Sequence, residues 1–144
     1  MAIRSLARGP MSGISTKRKA LVASVAALAG VIGFSSPAHA ASTSVYGSVS
    51  SYTTYYSTAR TITASGSDIY LRVNPRTVDI KVFWYKCSDR NVRGAAVNFW
   101  SHESGRKLIG SNFRSGTSFC LAAAGDIGEG SRSWSGTLEW NVYS

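Results

Sequence analysis

The chain has 144 residues, with 16 Lys and Arg against 7 Asp and Glu, a net charge of +9 and only two cysteines. This length accommodates one ordinary domain, which excludes a large two-domain enzyme and a multi-pass transporter. Two cysteines are too few for a disulfide-dense miniprotein. The positive charge taken alone suggests a nucleic-acid binder, so it matters which basic residues belong to the functional chain.

Residues 1–40 have the pattern of a Sec signal peptide. A basic cluster at 17–19 precedes 15 uncharged residues at 20–34, a run too short to span a bilayer comfortably. The sequence AHA at 38–40 has the small-x-small pattern of signal peptidase, which predicts cleavage at its end. Met11 as the start would give a leader of more usual length than the first methionine, and both starts remain open.

Removal of this leader changes the charge of the protein. Five of the 16 basic residues and none of the 7 acidic residues precede position 41, so the remaining 104 residues have a net charge of +4. A charge of this size attracts polyanions only weakly, which argues against nucleic acid as the partner. The sequence therefore predicts a secreted, extracellular protein without a membrane anchor.

Residues 41–59 are predicted to form an extended tail rich in Ser, Thr and Tyr. Ten of the 18 residues at 41–58 are Ser or Thr, four are Tyr, and none is charged. Such a segment buries too little aliphatic surface to offset its own ordering entropy, although Thr and Tyr favour strands. We expect it to order against a partner as an added strand; the alternatives are a solvated linker and a weak edge strand of the same domain. Its candidate partner-binding residues are Tyr46, Tyr52, Tyr55 and Tyr56.

From residue 60 onward, apolar and polar residues alternate with the period of two that is typical of β-strands. Strands are predicted at 68–73, 78–84, 95–100, 107–110, 117–121 and 132–142. Turn residues predict connections at 74–76, 88–91, 102–105, 112–116 and 125–130. No stretch has a helical period, so residues 60–144 are predicted to form an all-β domain, a small antiparallel β-sandwich or a small barrel.

Cys87 and Cys120 are the only cysteines of the chain. Because the leader predicts an oxidising destination, we expect them to form one intramolecular disulfide. The bridge would join the end of the strand at 78–84 to the strand at 117–121.

Residues suited to catalysis or metal binding are scarce. His102 is the one histidine after the leader, and with both cysteines paired too few ligands remain for a transition-metal site. There is no G-x-S-x-G motif, and the loop at 125–130 lacks the ligand spacing of a calcium site. We therefore expect no enzymatic activity, no cofactor and no bound metal.

Aromatic residues are frequent, at 15 of the 104 residues after the leader. In the strand at 78–84, the alternation places Trp84 on the face that is predicted to point into the core. Phe83 and Tyr85 fall on the opposite face beside Lys81, and such a strip suits a protein interface or carbohydrate stacking. Phe83 and Tyr85 are therefore further candidate partner-binding residues, unless a second layer covers that face.

The leader, the neutral tail and the β-domain with one disulfide together resemble the small adaptor subunit of the Streptomyces umbrella toxin particles. The resemblance implies an adaptor that joins a repeat-containing toxin subunit to a lectin-bearing subunit in an antibacterial particle. It also implies that residues 45–56 engage a partner. The lactococcin-972-like bacteriocins are also small, exported and β-rich, but they typically lack cysteines.

The sequence thus predicts a non-catalytic secreted adaptor or scaffold that binds other secreted proteins. A free-standing bacteriocin and a carbohydrate-binding module are the main alternatives. A protease inhibitor is a third alternative and would present an exposed loop such as 102–106 or 112–116. Only one disulfide braces these loops, whereas tight inhibitors usually have more rigid ones.

Overall fold

The computed structural model describes residues 39–128 and 130–143, so nearly all of the predicted signal peptide, residues 1–38, lies outside the described residues. The described part contains nine strands and no helix, and hence no helix long and apolar enough to cross a membrane. The strands are β1 (Ala41–Val49), β2 (Thr54–Thr61), β3 (Ser67–Val73), β4 (Ile80–Lys86), β5 (Asp89–Arg93), β6 (Val97–Phe99), β7 (Arg106–Phe113), β8 (Ser118–Gly125) and β9 (Arg132–Val142).

These strands form two antiparallel sheets that pack together, which confirms the predicted all-β sandwich. Sheet A has the order β1-β9-β3-β7, and sheet B has the order β2-β8-β4-β5, with β6 also paired to β4. The inner faces of both sheets supply one hydrophobic core. Its fully buried side chains include Ile62, Ile69, Leu71, Val73, Ile80, Val82, Phe99, Phe119 and Leu138.

The period-two alternation predicts the inward faces of β3 and β4 correctly. Ile69, Leu71 and Val73 are fully buried, and their neighbour Arg72 is exposed. Over 132–142 the same alternation predicts that Trp134, Leu138, Trp140 and Val142 face inward and that Asn141 faces outward. This prediction is wrong at Asn141. Asn141 has a φ of 58° and is buried, with its Oδ1 accepting a hydrogen bond from the Thr63 N–H at 2.9 Å. This left-handed residue breaks the alternation of the strand.

The structure differs from the prediction of a separate tail at 41–59. Residues 41–49 pair with β9 along their whole length, and residues 54–61 pair with β8, so the segment contributes one edge strand to each sheet. The predicted boundary at residue 60 falls inside β2. Val45 and Val49 are buried by side chains from the rest of the domain, which is why the segment needs few aliphatic residues of its own.

β5 and β8 are among the further strands whose extents differ from the prediction. Residues 88–91 were expected to be a connection, but β5 begins at Asp89 and pairs with β4 after a tight turn. All five of its residues are exposed, so no apolar alternation marks it. The predicted strand at 117–121 continues through three alanines to Gly125, because β8 lies between β2 and β4 and is covered on both faces.

Cys87 and Cys120 form the predicted disulfide, with their Cα atoms 5.1 Å apart. Cys87 lies in the turn between β4 and β5, and Cys120 is buried in β8 on the outer face of sheet B. The bridge therefore ties the β4–β5 hairpin to the centre of the same sheet.

Candidate binding site at the open edge of the sandwich

The six predicted partner-binding residues do not share one surface. Tyr46 and Tyr52 are 83% and 82% exposed, and they are the most exposed aromatic side chains of the described residues. Phe83 and Tyr85 are only 5% and 3% exposed, and Tyr55 and Tyr56 are half-buried. The structure therefore leaves Tyr46 and Tyr52 accessible to a partner and gives the other four packing roles.

Phe83 and Tyr85 do lie on the outer face of sheet B, as the alternation predicted, but other side chains cover them. The Tyr55 ring meets the Tyr85 ring edge to face, with centroids 5.1 Å apart. Two arginines of β5 complete the cover: the guanidinium carbon of Arg90 lies 4.4 Å from the Tyr55 centroid, and that of Arg93 lies 5.2 Å from the Phe83 centroid. The aromatic strip that suggested carbohydrate stacking is thus not free.

Tyr56 connects the two edge strands on one side of the sandwich. Its hydroxyl donates to the Ser48 carbonyl of β1 at 2.9 Å and accepts from Trp134 Nε1 at 2.8 Å. Its ring lies directly over Gly47, where a Cβ would come within 2.5 Å of a ring carbon. Burial raises the pKa of Tyr56, and the hydrogen bond from Trp134 opposes that rise. Tyr56 therefore closes the two sheets against each other at residues 47 and 48.

Edge strands expose unpaired backbone groups, and most edges of this sandwich have features that hinder pairing with another chain. On the far side of sheet A, β7 begins with Arg106 and Lys107 and shows two shifts of register against β3. On the far side of sheet B, the edge is divided between β6 and β5, which have three and five residues. In β2, the register breaks between Tyr56 and Arg60.

β1 has none of these features. Its nine residues contain no charge and no proline, and they pair with β9 without a bulge from Ala41↔Trp140 to Val49↔Arg132. The Ser48 carbonyl accepts from Tyr56 of β2, so it points away from β9. Because backbone direction alternates along an antiparallel strand, the N–H and C=O groups of Ser42, Ser44 and Tyr46 point to the same open side. β1 therefore presents backbone N–H and C=O groups with which a strand of another chain can form hydrogen bonds.

Beside this edge, a cleft of about 300 Å³ lies between β1 and β2. Residues 43–46 form one wall, Thr58 and Arg60 form the other, and Leu121 and Trp134 are among the remaining lining residues. Burial lowers the pKa of Arg60, whose Nη1 donates to the Thr58 carbonyl at 3.1 Å. Sequence reasoning missed Arg60 because a lone arginine at the start of the alternating region carries no local signal.

In the turn that contains His102, hydrogen bonds are made by the neighbouring Glu103, and no metal-ligand cluster or catalytic hydrogen bond is seen at His102 among the described residues. His102 is exposed, and the neighbouring Glu103 accepts hydrogen bonds from the Trp100 N–H and Lys107 Nζ. These bonds, led by that from Lys107, hold the pKa of Glu103 below its ordinary value. Among residues 39–128 and 130–143, no three His, Cys, Asp or Glu side chains group as metal ligands. The open edge and its cleft are therefore the candidate functional site.

No protein-family model matches this sequence, and no curated protein matches it.

Proposed function

We propose that this protein is a secreted, non-catalytic adaptor that binds an extended segment of another protein along β1. The observation that carries the proposal is the contrast between the edges of the sandwich: β1 is long, regular and uncharged, whereas the others are charged, short or broken in register. An incoming strand would continue sheet A beyond β1 through main-chain hydrogen bonds. Of the segment 45–56 that the resemblance implied as partner-binding, this proposal keeps only residues 45–49, which belong to the strand β1.

The start of β1 supports the export part of the proposal. Cleavage after Ala40 would leave all nine strands intact, because β1 begins at Ala41. The Cys87–Cys120 bridge suits an oxidising compartment. Mass spectrometry of the protein from culture supernatant should find Ala41 as its first residue. Retention of the whole chain inside the cell would contradict this part of the proposal.

An adaptor needs a second contact surface, and β5 on the far side of sheet B is suited to that role. All of its residues are exposed, and Arg90 and Arg93 stand over aromatic rings, where arginine commonly contributes to interfaces. Two surfaces on opposite sides of one small domain would allow it to join two proteins. Because the sequence layout resembles that of the umbrella-particle adaptors, we propose that the two proteins are subunits of an extracellular antibacterial assembly.

The experiment compares two variants at one position of β1. Ser44→Pro removes a backbone N–H on the open side, whereas Ser44→Ala removes the same hydroxyl and keeps that N–H. Tagged wild type and both variants are incubated with supernatant of the producing organism, and the proteins retained by wild type are identified by mass spectrometry. Each is then purified, and its affinity for all three forms is measured.

We expect wild type and Ser44→Ala to bind the same partner, and Ser44→Pro to lose it while its melting temperature stays close to that of wild type. Equal affinity of all three forms would contradict binding along β1. If Ser44→Pro does not fold, Ser44→Lys provides a second test, because a charge added to the edge hinders strand pairing without removing the N–H.

A further inference from the structure

Arg60 is a half-buried cation without a counter-charge among the described residues. The ion pairs found among the described residues join Arg106 to Glu139 and Lys107 to Glu103. The side chains of Arg90 and Arg93 lie over aromatic rings. Arg60 has neither kind of partner, and the one hydrogen bond of its guanidinium within residues 39–128 and 130–143 goes to the Thr58 carbonyl.

Among the residues that the structure describes, the lining of the cleft around Arg60 contains polar and apolar side chains but no acidic one. The cleft between β1 and β2 is lined by Thr43, Ser44, Val45, Tyr46, Tyr56, Thr58, Arg60, Leu121 and Trp134. A guanidinium has five N–H donors in a planar fork that matches a carboxylate. A partly desolvated guanidinium that uses one of these donors is unfavourable alone and becomes favourable when an anion completes its hydrogen bonds.

A strand added to β1 would bring side chains to this group. Residues 43–46 form the β1 wall of the cleft, so a segment paired to them lies along its opening. Alternate side chains of a strand point to the same face, and those on the core side of an added strand would enter the cleft opposite Arg60. The side chain that reaches Arg60 would occupy one fixed position of the segment.

We propose that the cleft selects an extended segment of another protein with an Asp or Glu at that fixed position, and that its carboxylate pairs with Arg60. This inference rests on the proposed binding along β1 and adds the chemistry by which a partner is recognised. A second copy of the chain fits less well than a partner with an acidic segment. Residues 41–49 contain no carboxylate, and the 104 residues after the predicted leader carry a net charge of +4.

The test uses a displayed library of random linear 12-residue peptides, selected in parallel on wild type, Arg60→Gln and Arg132→Gln. Arg132 is the matched control: it is exposed, its Nη1 also donates to a nearby carbonyl, that of Ser131, and it does not line the cleft. We expect wild type and Arg132→Gln to enrich peptides with one acidic residue at a constant position, and Arg60→Gln to lose that preference.

The enriched peptide and its Asp→Asn or Glu→Gln form are then titrated against each protein. Loss of the carboxylate should weaken binding to wild type about tenfold or more, as expected for a charge-assisted pair, and should leave binding to Arg60→Gln nearly unchanged. Enrichment without an acidic preference, or the same preference on Arg60→Gln, overturns the role of Arg60 and leaves binding along β1 standing. Failure of wild type to enrich any peptide, peptides bound equally by Ser44→Pro, or a dimer of the chain that occupies β1 overturns the proposed function itself.

Discussion

The hydroxyl of Tyr56 links the two sheets at their open side, and its removal should destabilise the domain. Tyr56→Phe keeps the ring over Gly47 and the edge contact with Trp134, but it deletes two hydrogen bonds. The Ser48 carbonyl lies at an exposed edge, so water can replace its lost partner. Trp134 is buried, and an unsatisfied buried donor costs about 1–3 kcal/mol, so we expect a total loss of about 2 kcal/mol.

Urea unfolding followed by tryptophan fluorescence measures this loss, and thermal unfolding should show a melting temperature lower by roughly 10 °C. Tyr46→Phe is the matched control, because Tyr46 is highly exposed and no hydrogen bond of its hydroxyl is seen among the described residues. Its stability should stay within about 0.5 kcal/mol of wild type. A Tyr56→Phe variant as stable as Tyr46→Phe would refute the argument that Tyr56 satisfies the Trp134 N–H.

Three further measurements follow from named contacts. Replacing both Cys87 and Cys120 by Ala should lower the free energy of unfolding by roughly 3.5–4 kcal/mol in the chain-entropy model for a separation of 33 residues, and denaturant curves measure it. Gly47→Ala should cost about 1–3 kcal/mol because its Cβ would meet the Tyr56 ring, whereas Gly105→Ala, whose Cβ would meet nothing within 4 Å, should cost little. Because burial raises the pKa of Tyr56 above its ordinary value of 10.0, its contribution to stability is complete below that pH. This contribution declines as the pH rises through the higher pKa that Tyr56 has in the folded protein. The free energy of unfolding, measured by urea unfolding at alkaline pH, should therefore fall less in Tyr56→Phe than in wild type.

The alternation of β3, β4 and most of β9 could be predicted because these strands place apolar side chains on a core shared by both sheets. β1 and β2 could not be recognised as parts of that core in the same way. Their burial depends on residues far along the chain, such as Trp134, which covers Tyr56 from β9. The composition of a segment shows which apolar side chains it contributes to a core. It does not show which side chains from the rest of the chain will cover that segment.

The candidate site shows the same limit. Tyr46 and Tyr52 were predicted as partner-binding residues; the structure leaves both exposed, and their binding role stays a prediction. Phe83 and Tyr85 were expected on the outward face, but Tyr55 and the arginines of β5 cover them, and no periodicity in the sequence indicates such a cover. The features that single out β1 emerge only from comparison with the other edges, which requires the strand order of both sheets.

Hydrogen exchange along β1 tests the account most directly. The purified protein is measured with and without a peptide enriched on wild type, and the exchange of individual backbone amides is compared. We expect the peptide to slow exchange at Ser42, Ser44 and Tyr46, whose N–H groups point to the open side, and to leave the exposed edge of β7 unchanged. Protection confined to β5 or β7, with the three β1 amides unaffected, would contradict binding along β1.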